Sequence, residues 1–273
     1  MDITKYLDTW AAAYRNDLIE NIMPFWMKFG LDRKHGGIYT CLDRDGKLMD
    51  STKSVWFQGR FGFIASYAYN HIEKKQEWLA ASKSCIDFIE THCTDIDGHL
   101  FFEVTEEGIP LRKRRYVFSE CFAAIAMSEY AIASGDKSYA TKALEMFKRI
   151  LKFLSTPGFL EPKYLPTLQS RGHSITMILI NTASRIREVI EDPVLDRQIN
   201  ESLTSIRQYF MHPEFKALLE MVGPKGELID TCNGRTINPG HCIETSWFIM
   251  EEARHKNWDK DLVQLALQIL DWS

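Results

Sequence analysis

Apolar residues recur every three to four positions along most of this chain, which is the spacing of one face of an α-helix. The pattern predicts nine helices, separated by polar or Gly-containing connections. Their expected bounds are 4–29, 54–72, 76–94, 116–134, 136–155, 171–190, 193–211, 239–256 and 259–273. The sequence therefore indicates an all-α protein.

Three of the longer connections carry short strand-like stretches with Gly at the turn, which is typical of β-hairpins. They span residues 36–46, 97–108 and 226–234. A helix start follows each of them, whereas a fourth helix start, near Arg171, follows a Pro-rich connection. We therefore expect short hairpins between consecutive groups of helices.

Four polar residues near these helix starts recur along the chain, since Arg60, Glu120, His173 and His241 are 60, 53 and 68 residues apart. Such spacing predicts a repeat of helical hairpins, each too small to bury its apolar face alone. Stacked hairpins form an open solenoid or close into an α/α toroid. The long connections would gather at one end, and a closed toroid would make that end a pocket.

The last predicted helix stays apolar and periodic up to residue 273, with no Gly or Asn cap and no polar tail. Nine helices is also an odd number for a fold built from pairs. We therefore expect the C-terminal part of a longer fold to be missing.

Composition narrows the function classes. The 273 residues are 45% hydrophobic and 26% charged, as in ordinary globular proteins, and a formal net charge of −4 gives no basis for nucleic-acid binding. The basic cluster at 112–115 is interpreted as a solvated loop or a local anion contact. We expect neither a signal peptide nor a membrane span. The six cysteines lack zinc-site spacing, which favours reduced thiols and a cytoplasmic location.

The segment 238–244, with the sequence NPGHCIE, carries the strongest candidate chemistry. It places His241 and Glu244 three residues apart, on one side of a helix that begins at a Pro-Gly turn. An imidazole beside a carboxylate is an acid–base group that can be tuned near pH 7. Alternatively, the segment caps the helix and Glu244 favours its N-terminal dipole.

The other helix starts add aromatic and hydrogen-bonding side chains suited to a neutral polyol. These candidates are Trp56, Gln58, Arg60, Tyr116, Glu120 and His173. Structural alternatives exist: Trp56 as a core residue, Arg60 in a buried ion pair, His173 as a hydrogen-bonding residue at a helix N-terminus. A glycosidase pair of Glu120 and Glu244 is conceivable but not required by the sequence. No phosphate loop, nucleophile elbow or metal-ligand spacing occurs, so we expect no metal site.

Three segments resemble those of the N-acylglucosamine 2-epimerase family, in the same order and over nearly the whole chain. They read VWFQGRF at 55–61, VFSECFA at 117–123 and NPGHCIE at 238–244. The resemblance implies an (α/α)6 barrel with its active site at one mouth. Residues 1–273 would form a single catalytic domain that lacks the last helices of the family fold.

The resemblance also implies an isomerase that interconverts N-acetylmannosamine and N-acetylglucosamine by proton exchange at C2. His241 matches the family's catalytic histidine, Glu244 the carboxylate that supports it, and Arg60 the arginine that stabilises the enediolate. The expected substrate-binding residues are Trp56, Gln58, Tyr116, Glu120, His173 and Asn238. Residues 176–179, TMIL, replace the His-x-His pair of the cellobiose 2-epimerases, which favours the N-acylglucosamine branch.

Two alternatives stay open: a cellobiose 2-epimerase or aldose–ketose isomerase of the same superfamily, or a non-catalytic sugar- or protein-binding module. The family requires no cofactor, although ATP acts as an allosteric effector in some members. The expected partner is a small amino sugar, with neither nucleic acid nor membrane. The family's second catalytic histidine would lie beyond residue 273. Unpaired apolar helix faces would then be exposed or covered by another chain, as in a homodimer.

Overall fold

The first helix begins at Asp2, whose carboxylate accepts the backbone N–H groups of residues 4 and 5. The computed structural model describes residues 2–113 and 116–273. α1 (Ile3–Asp17) buries none of its residues and continues through a π-helical segment (Leu18–Ile22), α2 (Met23–Phe25) and a second π-helical segment (Trp26–Gly30). Pro24 has no N–H to donate, so a regular α-helical ladder is interrupted at this point.

The chain divides into two compact units, Met1–Met146 and Phe147–Ser273. In unit one, α3 (Val55–His71) packs against both α4 (Gln76–His92) and α5 (Phe118–Ser134). The backbones of α3 and α5 come close, because a Cβ added at Gly59 would lie 2.6 Å from the carbonyl carbon of Phe122. A single domain over all 273 residues stays a prediction.

The first two predicted hairpins are confirmed, and both lie in unit one. β1 (Cys41–Leu42) pairs with β2 (Leu48–Asp50), while β3 (Lys53–Ser54), β4 (Glu103–Val104) and β5 (Pro110–Arg112) form a three-stranded antiparallel sheet. The hairpin turns contain Gly46 and Gly108, whose φ angles of 86° and 94° are rarely adopted by residues other than glycine.

The basic cluster follows β5. Lys113 donates to the carboxylates of Asp95 and Asp97, at 2.6 Å each. This part of the cluster is therefore engaged in local ion pairs, as the interpretation of a local anion contact anticipated. Arg114 and Arg115, which belong to the same cluster, lie outside the described residues.

The remaining helices extend from the end of unit one through unit two. α6 (Lys137–Ser155) includes the boundary, and α7 (His173–Arg187) packs against α8 (Pro193–Ser205), which continues into a π-helical segment (Ile206–Phe210). α9 (Pro239–His255) packs against α7 and α10 (Lys260–Asp271). All nine predicted helices are thus present, with most ends within three residues of the expected bounds.

The third hairpin was predicted in the wrong place. Residues 226–234 contain no strand; Gly226 instead closes a turn by donating to the Gly223 carbonyl at 3.0 Å. The strands lie earlier, where β7 (Met211–His212) pairs with β8 (Ala217–Leu218), and β9 (Met221–Val222) pairs with β6 (Arg171–Gly172). The physical reason is burial: β8 and β9 are apolar and buried, whereas the Gly-rich stretch is largely polar.

Among the residues that the structure describes, none of the helices combines the length and the apolar character needed to span a bilayer.

Candidate active site

The N-terminus of α9 holds His241 in place. Asn238 is the residue before the helix, and its side-chain oxygen accepts the His241 backbone N–H at 3.3 Å. Pro239 occupies the first helical position, where its missing N–H costs nothing. Asn238, predicted to bind substrate, thus uses its side-chain oxygen as a helix cap, and 35% of the His241 side chain remains exposed.

The carboxylate in contact with His241 is that of Glu220. Its Oε1 lies 2.8 Å from His241 Nδ1. Glu220 lies between β8 and β9, where its backbone carbonyl accepts the His173 N–H at 3.0 Å and its N–H donates to the Thr236 carbonyl at 3.2 Å. The main chain on both sides of the carboxylate is therefore fixed.

The prediction that Glu244 is the carboxylate supporting His241 needs a correction. Glu244 is half-buried one turn further along α9, and it acts on His241 through its charge, not through a hydrogen bond. The i, i+3 spacing correctly placed both residues on one side of the helix, but the imidazole turns toward the β8–β9 connection. The sequence offered one sign of Glu220: it is the charged residue in the apolar run 217–222.

The contact changes the protonation of both groups. The hydrogen bond that the Glu220 carboxylate accepts, aided by the charges of Glu220 and Glu244, raises the pKa of His241 above its usual range despite partial burial. Burial by itself would raise the pKa of Glu220, but the contacts with His173 and His241 lower it to about 2. Near neutral pH the pair therefore holds an ionised carboxylate beside an imidazole that binds its proton more tightly than usual.

His173 is fully buried at the start of α7. Its Nε2 lies 3.2 Å from Thr245 Oγ1, its Nδ1 lies 3.8 Å from Glu220 Oε1, and its ring packs edge-on against Phe210. A side chain with no exposed surface cannot touch a sugar, so the prediction of a substrate-binding His173 is not supported by its position.

Two of the predicted substrate-binding residues in unit one form hydrogen bonds with the backbone of loops instead. Gln58 is fully buried, and its amide accepts the Ile38 N–H at 2.8 Å and donates to the Ile38 carbonyl at 2.7 Å. Glu120 is also fully buried, and its Oε1 accepts the Leu100 N–H at 2.6 Å. Their polar atoms serve the connections before α3 and α5, because buried backbone groups require partners.

The other candidates of unit one belong to an aromatic cluster. Trp56 is half-buried, with its ring 5.2–5.6 Å from those of Phe102, Phe118 and Phe122. Tyr116 is half-buried and meets Phe118 edge-on. Arg60 is exposed, and its guanidinium lies 4.3 Å from the centre of the Phe122 ring. The alternative of a buried ion pair for Arg60 is therefore wrong.

One group of side chains in unit one has the geometry to share a cation. The ligand atoms of His35, Glu106 and Glu107 lie within 4.8 Å of one another. The group does not include His241, Glu220 or His173, and the acid–base pair described above needs no ion to be held in place.

Comparisons with known proteins bear on this site. A model of the family described as N-acylglucosamine 2-epimerase (GlcNAc 2-epimerase) matches residues 37–272. The N-acylglucosamine 2-epimerase of Rattus norvegicus is 30% identical over 258 residues, which are 92% of this chain and 61% of the rat protein. A cellobiose 2-epimerase of Ruminococcus albus is 31% identical over 143 residues, 52% of this chain and 36% of that protein.

Among solved structures, the cellobiose 2-epimerase from Bacillus thermoamylovorans B4167 superposes with a TM-score of 0.84 at 21% identity, covering 96% of this chain and 71% of that one. At this identity the likeness concerns the fold alone. It confirms the predicted fold class, all-α of the (α/α)6 type. The chain spans 61% of the length of its rat relative.

Proposed function

Because the chain belongs to the N-acylglucosamine 2-epimerase family, we propose that it interconverts N-acetylglucosamine and N-acetylmannosamine by exchanging the proton at C2. The substrate is thus a small amino sugar. The observation that carries the proposal is the His241–Glu220 contact, with Nδ1 held at 2.8 Å by a carboxylate. This contact leaves Nε2 as the ring atom for proton transfer.

The chemistry requires a base that removes the C2 proton on one face and a donor that returns a proton on the opposite face. Once the sugar ring opens, the aldehyde at C1 makes the C2 proton removable, and its loss gives an enediolate-type intermediate. Return of a proton from the opposite face inverts C2, with no net change of electrons or protons. An imidazole whose pKa lies above its usual range gives and takes a proton near neutral pH.

Arg60 is proposed to stabilise the negative charge that develops on O1. Support comes from the family resemblance and from the state of the side chain. Its guanidinium is exposed, and within the described part of the chain no ion pair engages it. A charged donor that is free of carboxylates is suited to an oxyanion.

ATP is proposed as an effector and not as a cofactor, because proton exchange at C2 transfers no electrons and no group. The cytoplasm is the proposed location, supported by six cysteines that are all free thiols.

The test is proton NMR of each sugar in D2O with this chain, with and without ATP. We expect the C2 proton signal to disappear and the other epimer to accumulate, and we expect His241→Asn to abolish both. Exchange confined to one epimer would leave His241 as a base acting on one face. No exchange by the folded wild-type chain would overturn the proposal for these 273 residues.

The same experiment separates the alternatives. A ketose product would indicate an aldose–ketose isomerase, and exchange with cellobiose but not with N-acetylated sugars would indicate a cellobiose 2-epimerase. Binding of a sugar without any loss of the C2 signal would indicate a binding module.

A further inference from the structure

We propose that His173 and Thr245 are positioning residues which, through Glu220, set the orientation of the His241 imidazole. The role rests on the proposed function, in which His241 moves the C2 proton. Neither residue touches the sugar, because both side chains are fully buried. They act on the site through contacts alone.

The contacts form a closed series of four residues that starts and ends on α9. Thr245 Oγ1 lies 3.2 Å from His173 Nε2, His173 Nδ1 lies 3.8 Å from Glu220 Oε1, and that same oxygen lies 2.8 Å from His241 Nδ1. His241 and Thr245 are four residues apart, so they lie one helical turn from each other on the same face. This series of contacts therefore links two neighbouring positions of one helix through α7 and the β8–β9 connection.

The exposed fraction of the side chains increases along this series of contacts toward His241. Thr245 and His173 have no exposed surface, the Glu220 side chain is 19% exposed and the His241 side chain is 35% exposed. Only Glu220 and His241 have exposed surface, and His241 has the larger exposed fraction. The buried members lie where hydrogen bonds are strong, so the 3.2 Å contact between Thr245 Oγ1 and His173 Nε2 restricts the orientation of the His173 ring.

The same series of contacts also selects the tautomer of His173. With the Thr245 hydroxyl assigned as the donor to Nε2 at 3.2 Å, the His173 proton is on Nδ1, which lies 3.8 Å from the ionised carboxylate of Glu220. The reverse tautomer would point a lone pair at that carboxylate. Phe210 packs edge-on against the ring with centroids 5.5 Å apart, and the His173 N–H donates to the Glu220 carbonyl, so the ring has little freedom to turn away.

A residue that only fills space would behave differently from a member of this series of contacts. The titratable groups that interact with Glu220 are His173 from α7 and His241 and Cys242 from α9, while Glu244 acts on His241. Contact with His173 lowers the pKa of Glu220. Loss of the correct His173 tautomer should therefore raise the pKa of Glu220, even where the fold and the packing are unchanged.

The experiment compares Thr245→Val, which keeps the shape but loses the hydroxyl, with Thr245→Ser, which keeps the hydroxyl. In the full chain, ¹³C NMR of the Glu220 carboxyl gives its pKa, and ¹⁵N NMR gives the His173 tautomer. We expect Thr245→Val to raise the Glu220 pKa and move the His173 proton to Nε2, and Thr245→Ser to change neither. C2 exchange should fall about tenfold to a hundredfold in kcat with little change in KM.

A second pair of variants covers the case in which Thr245→Val does not fold. His173→Asn places an amide near the Nδ1 position and should keep the Glu220 pKa close to that of the wild type, whereas His173→Gln should raise it. An unchanged Glu220 pKa and tautomer in Thr245→Val, or equal values in the two His173 variants, would overturn the inference. These readouts do not depend on turnover, so a chain that shows them without C2 exchange would refute the proposed function alone.

Discussion

At the scale of single residues, the acid–base character of His241 depends on Glu220, a carboxylate 21 positions away in sequence. Charged residues are seldom buried without a partner, so a Glu inside an apolar run is unusual. That sign marks the residue but not its partner. The partner is set by the pairing of β9 with β6, which also brings the start of α7 to the same place.

The first prediction at this scale concerns the pKa of His241. Glu220→Gln should lower it, because the hydrogen bond to that carboxylate is the main cause of its rise, and Glu244→Gln should lower it less, because Glu244 contributes charge alone. NMR titration of the His241 imidazole measures both changes. A larger effect of Glu244→Gln would restore Glu244 as the principal supporting carboxylate.

A second residue-scale prediction concerns Lys53 in unit one, which is fully buried. Its ammonium donates to Asp32 at 2.7 Å and to the carbonyls of Gly36 and Glu106 at 2.8 Å each. Lys53→Met would leave the buried carboxylate of Asp32 without its cation, and should cost about 3–5 kcal/mol of unfolding free energy in urea titrations.

The matched control is Lys83→Met, which removes an ion pair with Asp87 on the surface of α4, where the two side chains are 38% and 49% exposed. Exposed pairs contribute less than about 1 kcal/mol. Equal losses for the two variants would show that the Lys53 contacts add nothing to stability beyond those of a surface pair.

At the scale of elements, the helices follow from local signals. Asp2, Asp192, Asn238 and Asp259 each cap the helix that they precede with a side-chain oxygen, and capping residues of this kind are visible in the sequence. Strands of two or three residues have no comparable periodicity. Some of them have distant partners, as β9 has in β6, and others pair locally, as β7 and β8 do, so the sequence did not locate the strands near the third predicted hairpin.

The element-scale prediction concerns the cap of α9. Asn238→Ala should cost about 1 kcal/mol of unfolding free energy, because it leaves the His241 N–H without its acceptor. Asn238→Ser, which retains a capping oxygen, should cost much less. Urea denaturation of the two variants at one pH provides the comparison, and equal stability would show that the cap does not stabilise the helix.

At the scale of the whole molecule, the His241–Glu220 pair makes stability depend on pH. The pKa of Glu220 is lowered from 4.5 to about 2, so its contribution is complete above 4.5 and is lost as pH falls through about 2. The pKa of His241 is raised above 6.5, so its contribution is complete below 6.5 and is lost as pH rises through the folded value. Together they stabilise the fold most between about 4.5 and 6.5.

The corresponding prediction is that the difference in unfolding free energy between the wild type and Glu220→Gln is largest in that interval and shrinks on either side. Chemical denaturation of both proteins at pH 3, 5.5 and 9 measures it. A difference that does not vary with pH would mean that the two groups are not coupled in the folded state.

The sequence by itself determined the helices, the family and the place of His241 at the start of α9, because periodicity, capping and a short motif are all local properties of the chain. Only the tertiary structure decided which carboxylate supports His241, brought the side chains of Gln58 and Glu120 to the backbones of Ile38 and Leu100, and placed His173 in the interior. The physical reason is that a polar side chain takes the partner that burial and strand pairing bring to it, and residue spacing contains no information about partners that are distant in the sequence.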